Sequence, residues 1–310
     1  MDRRSFIKTS LLTAGTVLIG EKTAAAAEKA AGKTKAAGVP FIALNNGARI
    51  PQLGFGTWTL AENTRASVRA AALAGYRLFD TAQAYQNEAE TWRGLKESGV
   101  PRRELFITTK ISPGNMRKPP QRAAIDQSIE LLGGEYLDLF LLHWPVQPHI
   151  QETWETLEDY VRKGLIKNLG LSNFNPHHID ALLKYAKVKP VLNQIEIHPY
   201  HSQGPNIEAT RGYNIAVECW SPLAQGRAAN DDAAIRRIAA KHGRSAAQVT
   251  LRWEIQHGLI VIPRSKNSAH IAENVGVFDF ELDASDMADI AALNENKRIN
   301  PKNDPDNFPW

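Results

Sequence analysis

The chain has one cysteine, Cys219, so it forms no internal disulfide. That residue sits in an apolar, strand-like run, which favours a buried small hydrophobe over a reactive thiol. No phosphate-binding P-loop pattern occurs. Gly54-Phe55-Gly56-Thr57-Trp58-Thr59 has two glycines but lacks the third that a doubly wound dinucleotide fold carries after its first strand. No set of His and Cys has metal-ligand spacing, and no metal is expected. The apolar stretch Leu11–Ile19 is too short to cross roughly 30 Å of hydrocarbon as a helix, which argues against a permanent membrane anchor. Charge of one sign is also scarce beyond the first residues. The net charge is +4, and residues 1–40 hold seven Lys or Arg against three Asp or Glu. Residues 41–310 are therefore balanced, thirty against thirty. Residues 41–310 offer little basic surface to neutralise phosphates, so no nucleic-acid partner is expected.

What is present at the N-terminus reads as an address. Asp2-Arg3-Arg4-Ser5-Phe6-Ile7-Lys8 resembles the twin-arginine export signal of bacteria. A short apolar run follows, and Ala24–Ala27 supplies the small residues a signal peptidase needs. Residues 1–27 are read as the signal peptide, 28–40 as a flexible linker and 41–310 as the folded unit. The implied partner is the twin-arginine translocation machinery, and the implied location is the periplasm. That route carries folded proteins, which suits a chain without disulfides.

From residue 52 the sequence alternates between apolar strand candidates and helix-like stretches. The strands are expected at Leu53–Thr57, Leu78–Asp80, Leu105–Lys110, Leu137–Trp144, Ile166–Asn173, Val191–His198, Ile215–Ser221 and Leu259–Ser265. A helix over Asn63–Ala74 has an Asn or Thr cap and ends before Gly75. Pro119 or Pro120 suits the first turn of a helix to Leu132, stopped by Gly133-Gly134. Asn175-Pro176 opens another. Eight such units predict a (β/α)8 TIM barrel. Phe41–Leu44 and Arg49–Leu53, joined by Asn45-Asn46-Gly47, predict an N-terminal β-hairpin capping the barrel bottom.

In a parallel barrel the chemistry sits at the C-terminal ends of the strands. Asp80 closes the second strand candidate, Tyr85 follows in its loop, Lys110 closes the third, and His143 lies at the end of the fourth. Each alone has an ordinary explanation as a cap, a surface aromatic, a solvated strand end or a core histidine. Together, in consecutive units, they form the set a carbonyl reductase needs. Hydride attack on a carbonyl carbon leaves negative charge on oxygen, which calls for a proton donor. A phenol with a free pKa near 10 is a weak one, and an adjacent ammonium lowers that pKa. A carboxylate holds the ammonium, and an imidazole orients the carbonyl oxygen. Glu196 and Glu218 offer a carboxylate pair for a hydrolase on the same barrel, but the sequence shows no polar setting for either.

The segments Gly54-Phe55-Gly56-Thr57-Trp58, Phe79-Asp80-Thr81-Ala82-Gln83-Ala84-Tyr85, Thr108-Thr109-Lys110, His143-Trp144-Pro145, Gly170-Leu171-Ser172-Asn173-Phe174, Asn193-Gln194-Ile195-Glu196 and Ile262-Pro263-Arg264-Ser265 resemble the successive motifs of aldo-keto reductases. Gln86-Asn87-Glu88 and Ser98-Gly99-Val100-Pro101 further resemble the bacterial 2,5-diketo-D-gluconate reductase branch. The resemblance covers residues 41–310. It implies a catalytic tetrad of Asp80, Tyr85, Lys110 and His143, with NADP(H) as cofactor and a small aldehyde, ketone or dicarbonyl as substrate. It implies that Ser172, Asn173 and Gln194 hold the nicotinamide amide. Trp220 stands where the family often has a stacking tyrosine. Ser221, Leu223, Gln225 and Gly226 follow the pyrophosphate. Arg264, Ser265, Glu273 and Asn274 hold the adenosine end, with His270 where many members have an arginine near the 2′-phosphate. Trp58 and Trp144 are expected to line the substrate pocket beside Tyr85 and His143. Short loops are expected between Pro145 and a helix at Thr153, and between Gly226 and a helix near Asp231. The tail Asn300–Trp310 either folds over the pocket or moves freely. The protein is expected to act as a monomer.

Overall fold

A computed structural model describes residues 38–116, 120–230 and 232–309. The signal peptide and nearly all of the linker read from the sequence lie outside the described residues.

The hairpin forms as expected. β1 (Phe41–Ala43) pairs antiparallel with β2 (Arg49–Pro51), and Gly47 at the turn takes a φ of +86°. The eight barrel strands are β3 (Gly54–Gly56), β4 (Leu78–Asp80), β5 (Phe106–Ile111), β6 (Leu137–Leu142), β7 (Ile166–Ser172), β8 (Leu192–Glu196), β9 (Ala216–Trp220) and β10 (Ile260–Val261). They pair in parallel in chain order from β3 to β10. The ring closes where Leu53 bridges Val261 and Gly56 N donates to Pro263 O at 3.1 Å. Each expected strand exists. Six are shorter than expected, by one to five residues, as residues at one or both ends leave the ladder.

Gly54 and Gly56 prove to be closure residues. A Cβ on Gly54 would lie 2.5 Å from Leu78 Cγ on β4 and 3.0 Å from Ile262 Cγ2, and one on Gly56 would lie 2.9 Å from Ile262 O. The Gly-Phe-Gly run thus serves the approach of first and last strands.

Helices follow the strands at Thr64–Leu73, Glu88–Ser98, Pro120–Leu131, Ile150–Arg162, Pro176–Leu183, Gly204–Gly212, Ala246–Gln256 and Ser268–Val275. The expected cap at Asn63 does not form: its side chain donates to Glu62 Oε1 instead. The helix expected at Thr153 begins earlier, at Ile150, because Thr153 Oγ1 bonds back to His149 O and tightens its first turn. The helix expected near Asp231 is two pieces, Arg227–Asn230 and Ala233–His242, the second capped by Asp232. Both loops are therefore shorter than the sequence suggested. Among the described residues, no helix is long and apolar enough to cross a membrane.

Inside the barrel, Leu78, Phe106, Leu139, Leu141, Leu192 and Ile260 pack with Leu44 and Ile50 of the hairpin region. The hairpin thus seals the N-terminal end of the barrel. A second apolar layer, including Trp154, Phe140 and Leu169, lies between strands and helices.

Candidate active site

Side chains alternate along a strand, so residues two apart share a face. Leu78 therefore puts Asp80 above it inside the barrel. Phe106 and Thr108 do the same for Lys110, Leu139 and Leu141 for His143, and Leu192 for Gln194. Each column is apolar at the sealed end and polar at the open end. The sequence alternation alone brings these polar groups to one level.

Lys110 is completely buried. Its Nζ donates to Asp80 Oδ2 at 2.6 Å, to Thr81 O at 2.9 Å and to Tyr85 Oη at 3.3 Å. All three ammonium protons are placed, and the third reaches the phenol. Burial disfavours the charge most, but Asp80, Tyr85 and Glu218 together outweigh it and hold Lys110 above the usual lysine range. Tyr85 stands edge-on to His143 with ring centroids 5.7 Å apart. The sequence led us to expect a lowered phenol pKa. The structure corrects this: burial at the cleft floor raises it, and the opposing pull of Lys110 is smaller. Tyr85 therefore keeps its proton at neutral pH. Burial, then Lys110, push His143 well below the usual imidazole range, so it is neutral, and its Nδ1 has no partner among the described residues.

The Tyr85 loop is locked from behind. Asn87 accepts from Thr81 Oγ1 at 2.8 Å and donates to Thr57 O at 2.9 Å. Glu88, also buried, accepts from Thr109 Oγ1 at 2.6 Å. Gln83 donates to Ala124 O and accepts from Ser112 N. In the sequence Asn87 and Glu88 stand only in the branch resemblance, and Gln83 only within a family motif.

A cleft of about 670 Å³ opens over this floor and extends across the strand ends. That volume is in the usual range for a ligand site. Asp80, Tyr85, His143, Ser172, Asn173, Gln194, Trp220, Ser221, Leu223, Gln225, Gly226, Arg264, Ser265, His270, Glu273, Asn274, Trp58 and Trp144 all line it. Lys110 lies beneath. Lys266, Ser245 and Phe308 also line it and were missed by the sequence reading.

Two assignments acquire internal partners. Gln194 Nε2 donates to Asp80 Oδ1 at 2.8 Å and to Glu218 Oε1. Both amide protons are spent inward, which leaves its carbonyl oxygen for a ligand. Asn173 donates to His143 O at 3.0 Å and accepts from Trp220 Nε1 at 2.9 Å. Trp220 is thus tethered by its ring nitrogen, as an indole in this position requires. Glu196 and Glu218, expected to lack polar settings, both have them. Glu196 Oε1 accepts from Ile299 N at 2.6 Å and contacts His198.

The far arm of the cleft has the features of a dinucleotide cradle. Ser221, Ala224, Gln225 and Gly226 all take positive φ, a strained run of the kind found at ligand clamps. Arg264, Lys266 and His270 are exposed, and among the described residues none pairs with an acid. Two unpaired cations and a histidine beside a helix start suit a phosphate. Gln248 donates to Glu273 O and steadies this helix from below.

The tail, left open between two readings, folds over the cleft. Phe308 stacks on Trp144 with centroids 3.8 Å apart and an 18° angle. Asp306 anchors it, 3.1 Å from His177 Nε2 and 3.4 Å from His178 Nε2. No metal set was apparent in the sequence, yet the fold brings these three within ligand distance of one another. His178 Nδ1 accepts from Asn175 N at 3.2 Å, so the neutral ring carries its proton on Nε2, toward Asp306. Burial pushes His178 down to about 4, which keeps it neutral. The trio is a hydrogen-bonded latch. Trp58, 46% exposed, also lines the cleft.

A buried acid–lysine–phenol chain under a cleft at the C-terminal ends of a closed (β/α)8 barrel defines an oxidoreductase scaffold, and the chain belongs to the Aldo/keto reductase family, whose profile matches residues 52–295. It is 44% identical over 271 residues to a 9,11-endoperoxide prostaglandin H2 reductase of Trypanosoma cruzi, covering 86% of this chain and 95% of that protein. It is 43% identical over 265 residues to a glyoxal reductase of Bacillus subtilis, covering 85% and 96%. Among solved structures, an aldo-keto reductase of Bombyx mori in complex with NADP superposes with a TM-score of 0.81 at 34% identity, covering 88% of this chain and 99% of that one.

Proposed function

We propose that this protein reduces small aldehydes, ketones or dicarbonyls to alcohols with NADPH, and that Tyr85 gives the proton. The observation that carries the reading is the buried chain Asp80–Lys110–Tyr85 under a cleft whose far arm presents Arg264, Lys266 and His270. The Bombyx mori relative holds NADP, and the Bacillus subtilis relative is a glyoxal reductase. The cofactor, when bound, supplies a hydride to the carbonyl carbon. Tyr85 and neutral His143 face the same space and receive the carbonyl oxygen. Lys110 stabilises the phenolate left behind when Tyr85 gives up its proton, and Asp80 holds Lys110 in place. Gln194 turns its carbonyl oxygen toward the cleft and accepts from the carboxamide of the nicotinamide. Ser172, Asn173 and the tethered Trp220 complete that wall. Ser221 to Gly226 follow the pyrophosphate, while Ser265, Glu273 and Asn274 join the cations at the adenosine end. The short loops and the Phe308–Trp144 stack leave room for small substrates and little wall for large ones. A carbonyl screen read as NADPH oxidation tests this: methylglyoxal or a nitrobenzaldehyde is turned over, and a steroid bound far more tightly than methylglyoxal would contradict it.

The same cluster also sets the cofactor preference. Arg264, Lys266 and His270 offer the 2′-phosphate of NADPH partners that NADH does not use. An arginine at position 270 adds a planar, fixed charge to that site. The ratio of kcat/KM for NADPH and NADH should therefore be measured in wild type and in His270→Arg. The variant is expected to show the higher ratio. Equal ratios remove His270 from the phosphate site.

We further propose that residues 1–27 export the folded protein to the periplasm through the twin-arginine route, with 28–40 as linker. The support is the Arg3-Arg4 pair, the apolar run and the alanines behind it. Replacing Arg3 and Arg4 by Lys keeps the charge but loses the planar guanidinium pair. The variant is expected in the cytoplasmic fraction and the unaltered protein in the periplasmic one. An unaltered protein found only in the cytoplasm rejects the proposal.

A further inference from the structure

Below the tetrad lies a carboxyl group that the proposed reaction leaves unused. Glu218, on β9, is completely buried. Its register partners are Gln194 on β8 and Ile260 on β10, so it points into the barrel at the level of the Gln194 amide. Gln194 Nε2 donates to both Asp80 and Glu218, and two acids thereby share one amide nitrogen. Glu218 Oε2 has no partner and no exposure among the described residues. Among the described residues, Lys110 is the cation paired with Asp80, while Arg298 pairs further along with Glu196. The protons of Lys110 go to Asp80, Thr81 O and Tyr85, and none reaches Glu218.

Two negative charges and one positive charge in a closed, dry barrel are costly, because an unpaired buried ion loses its hydration without compensation. The contact at 2.6 Å assigns the negative charge to Asp80. The proton then belongs on Glu218. We propose that Glu218 is a positioning residue which, in its protonated form, orients the Gln194 amide and preserves the charge balance that lets Tyr85 act as an acid. The inference rests on the proposed role of Tyr85.

The surroundings of Glu218 agree. Burial, then the charge of Asp80, push Glu218 up to about 8. The groups that face it are Asp80 on β4, Lys110 on β5, Gln194 on β8 and Tyr85 above. His143 is neutral. Behind β9, Cys219 contacts Glu254 of the helix Ala246–Gln256, and burial holds that carboxyl far above its usual range, so it adds no charge. Glu196, further along β8, is committed to Ile299 N and His198. Glu88, behind β5 against Thr109, is also raised by burial and feels Lys110, and the variant of Glu218 separates the two. The ionised form of Glu218 raises the pKa of Tyr85 and so makes the phenol a poorer acid. Reduction should therefore slow as pH rises through the titration of Glu218, in addition to any change in cofactor binding.

The test uses Glu218→Gln, an isostere of the protonated acid. In wild type, kcat for reduction is expected to fall at least about fivefold between about pH 6.5 and about pH 9.5. In the variant that fall is expected to shrink to less than about twofold, because the amide cannot ionise. Infrared spectroscopy of the wild type gives a second readout that does not need activity. Beside the band of Glu254, which persists in both proteins, one further protonated-carboxyl C=O band should be present at the lower pH, disappear at the higher one and be missing in the variant. Superimposable pH profiles would overturn the proposal. So would a wild type without that band at the lower pH. If Tyr85 is not the acid, the Tyr85→Phe result shows it separately, and the infrared band still reports where the proton sits.

Discussion

Tyr85→Phe is expected to lower kcat by at least about 10²-fold, the lower end for a positioned general acid. The substitution removes one oxygen and little else. The ring keeps its edge contact with His143 at 5.7 Å and its place 4.9 Å from Lys110 Nζ. The loop that carries it is held by Asn87, Gln83 and Glu88, none of which bonds the phenol. NADPH affinity should change by less than about twofold, since the proposed cofactor contacts lie on other strands. Steady-state kinetics and a fluorescence titration of NADPH check both parts. Near-normal turnover in a folded variant would remove Tyr85 from the chemistry.

Lys110→Met is expected to have the larger effect on the molecule as a whole. The ammonium is the only cation touching Asp80 among the described residues, and both groups are buried. Removing it leaves a carboxylate without its counter-charge, which costs about 3–5 kcal/mol in comparable buried pairs. The same change removes the support for the Tyr85 phenolate, so kcat should fall by at least about 10²-fold as well. The two effects separate in a double variant. Adding Asp80→Asn to Lys110→Met removes the stranded charge and should restore most of the stability while restoring no activity. Denaturant unfolding and NADPH oxidation measure the two. A Lys110→Met protein as stable as wild type would mean that Asp80 is protonated in the native state and that the ion pair is misassigned.

The legible part of this protein was whatever depends on local period. Apolar runs of strand length separated by helix signals gave the eight units. Alternation within each run placed Asp80, Lys110 and His143 at the open ends. Asn-Gly at the hairpin and Gly133-Gly134 after a helix declared themselves because each needs a left-handed backbone. The illegible part depends on what faces what across the barrel. Gln194 reaches Asp80 over a separation of 114 residues, and no pattern in either strand announces that contact. Glu218 accordingly read as an acid without a setting. The net pKa of Tyr85 went astray for a related reason: the neighbouring ammonium is visible as a strand-end lysine, but the depth of the cleft floor is not. The tail was ambiguous because its Pro, Asn and Asp content suits a mobile end. Only the packed structure shows Asp306 against His177 and His178 and Phe308 against Trp144. Lys266 was overlooked because an exposed lysine in a loop is ordinary until Arg264 and His270 are seen beside it.

The central claim is that the cleft over Tyr85 is where a hydride passes from NADPH to a carbonyl carbon. The most direct measurement supplies purified protein with NADPH deuterated at the reactive C4 position and with methylglyoxal, and then locates the label in the alcohol by mass spectrometry. Deuterium on the former carbonyl carbon, formed by the wild type and slowed at least about 10²-fold in Tyr85→Phe, is the predicted result. An alcohol without the label, or labelled alcohol formed equally fast by both proteins, would contradict it.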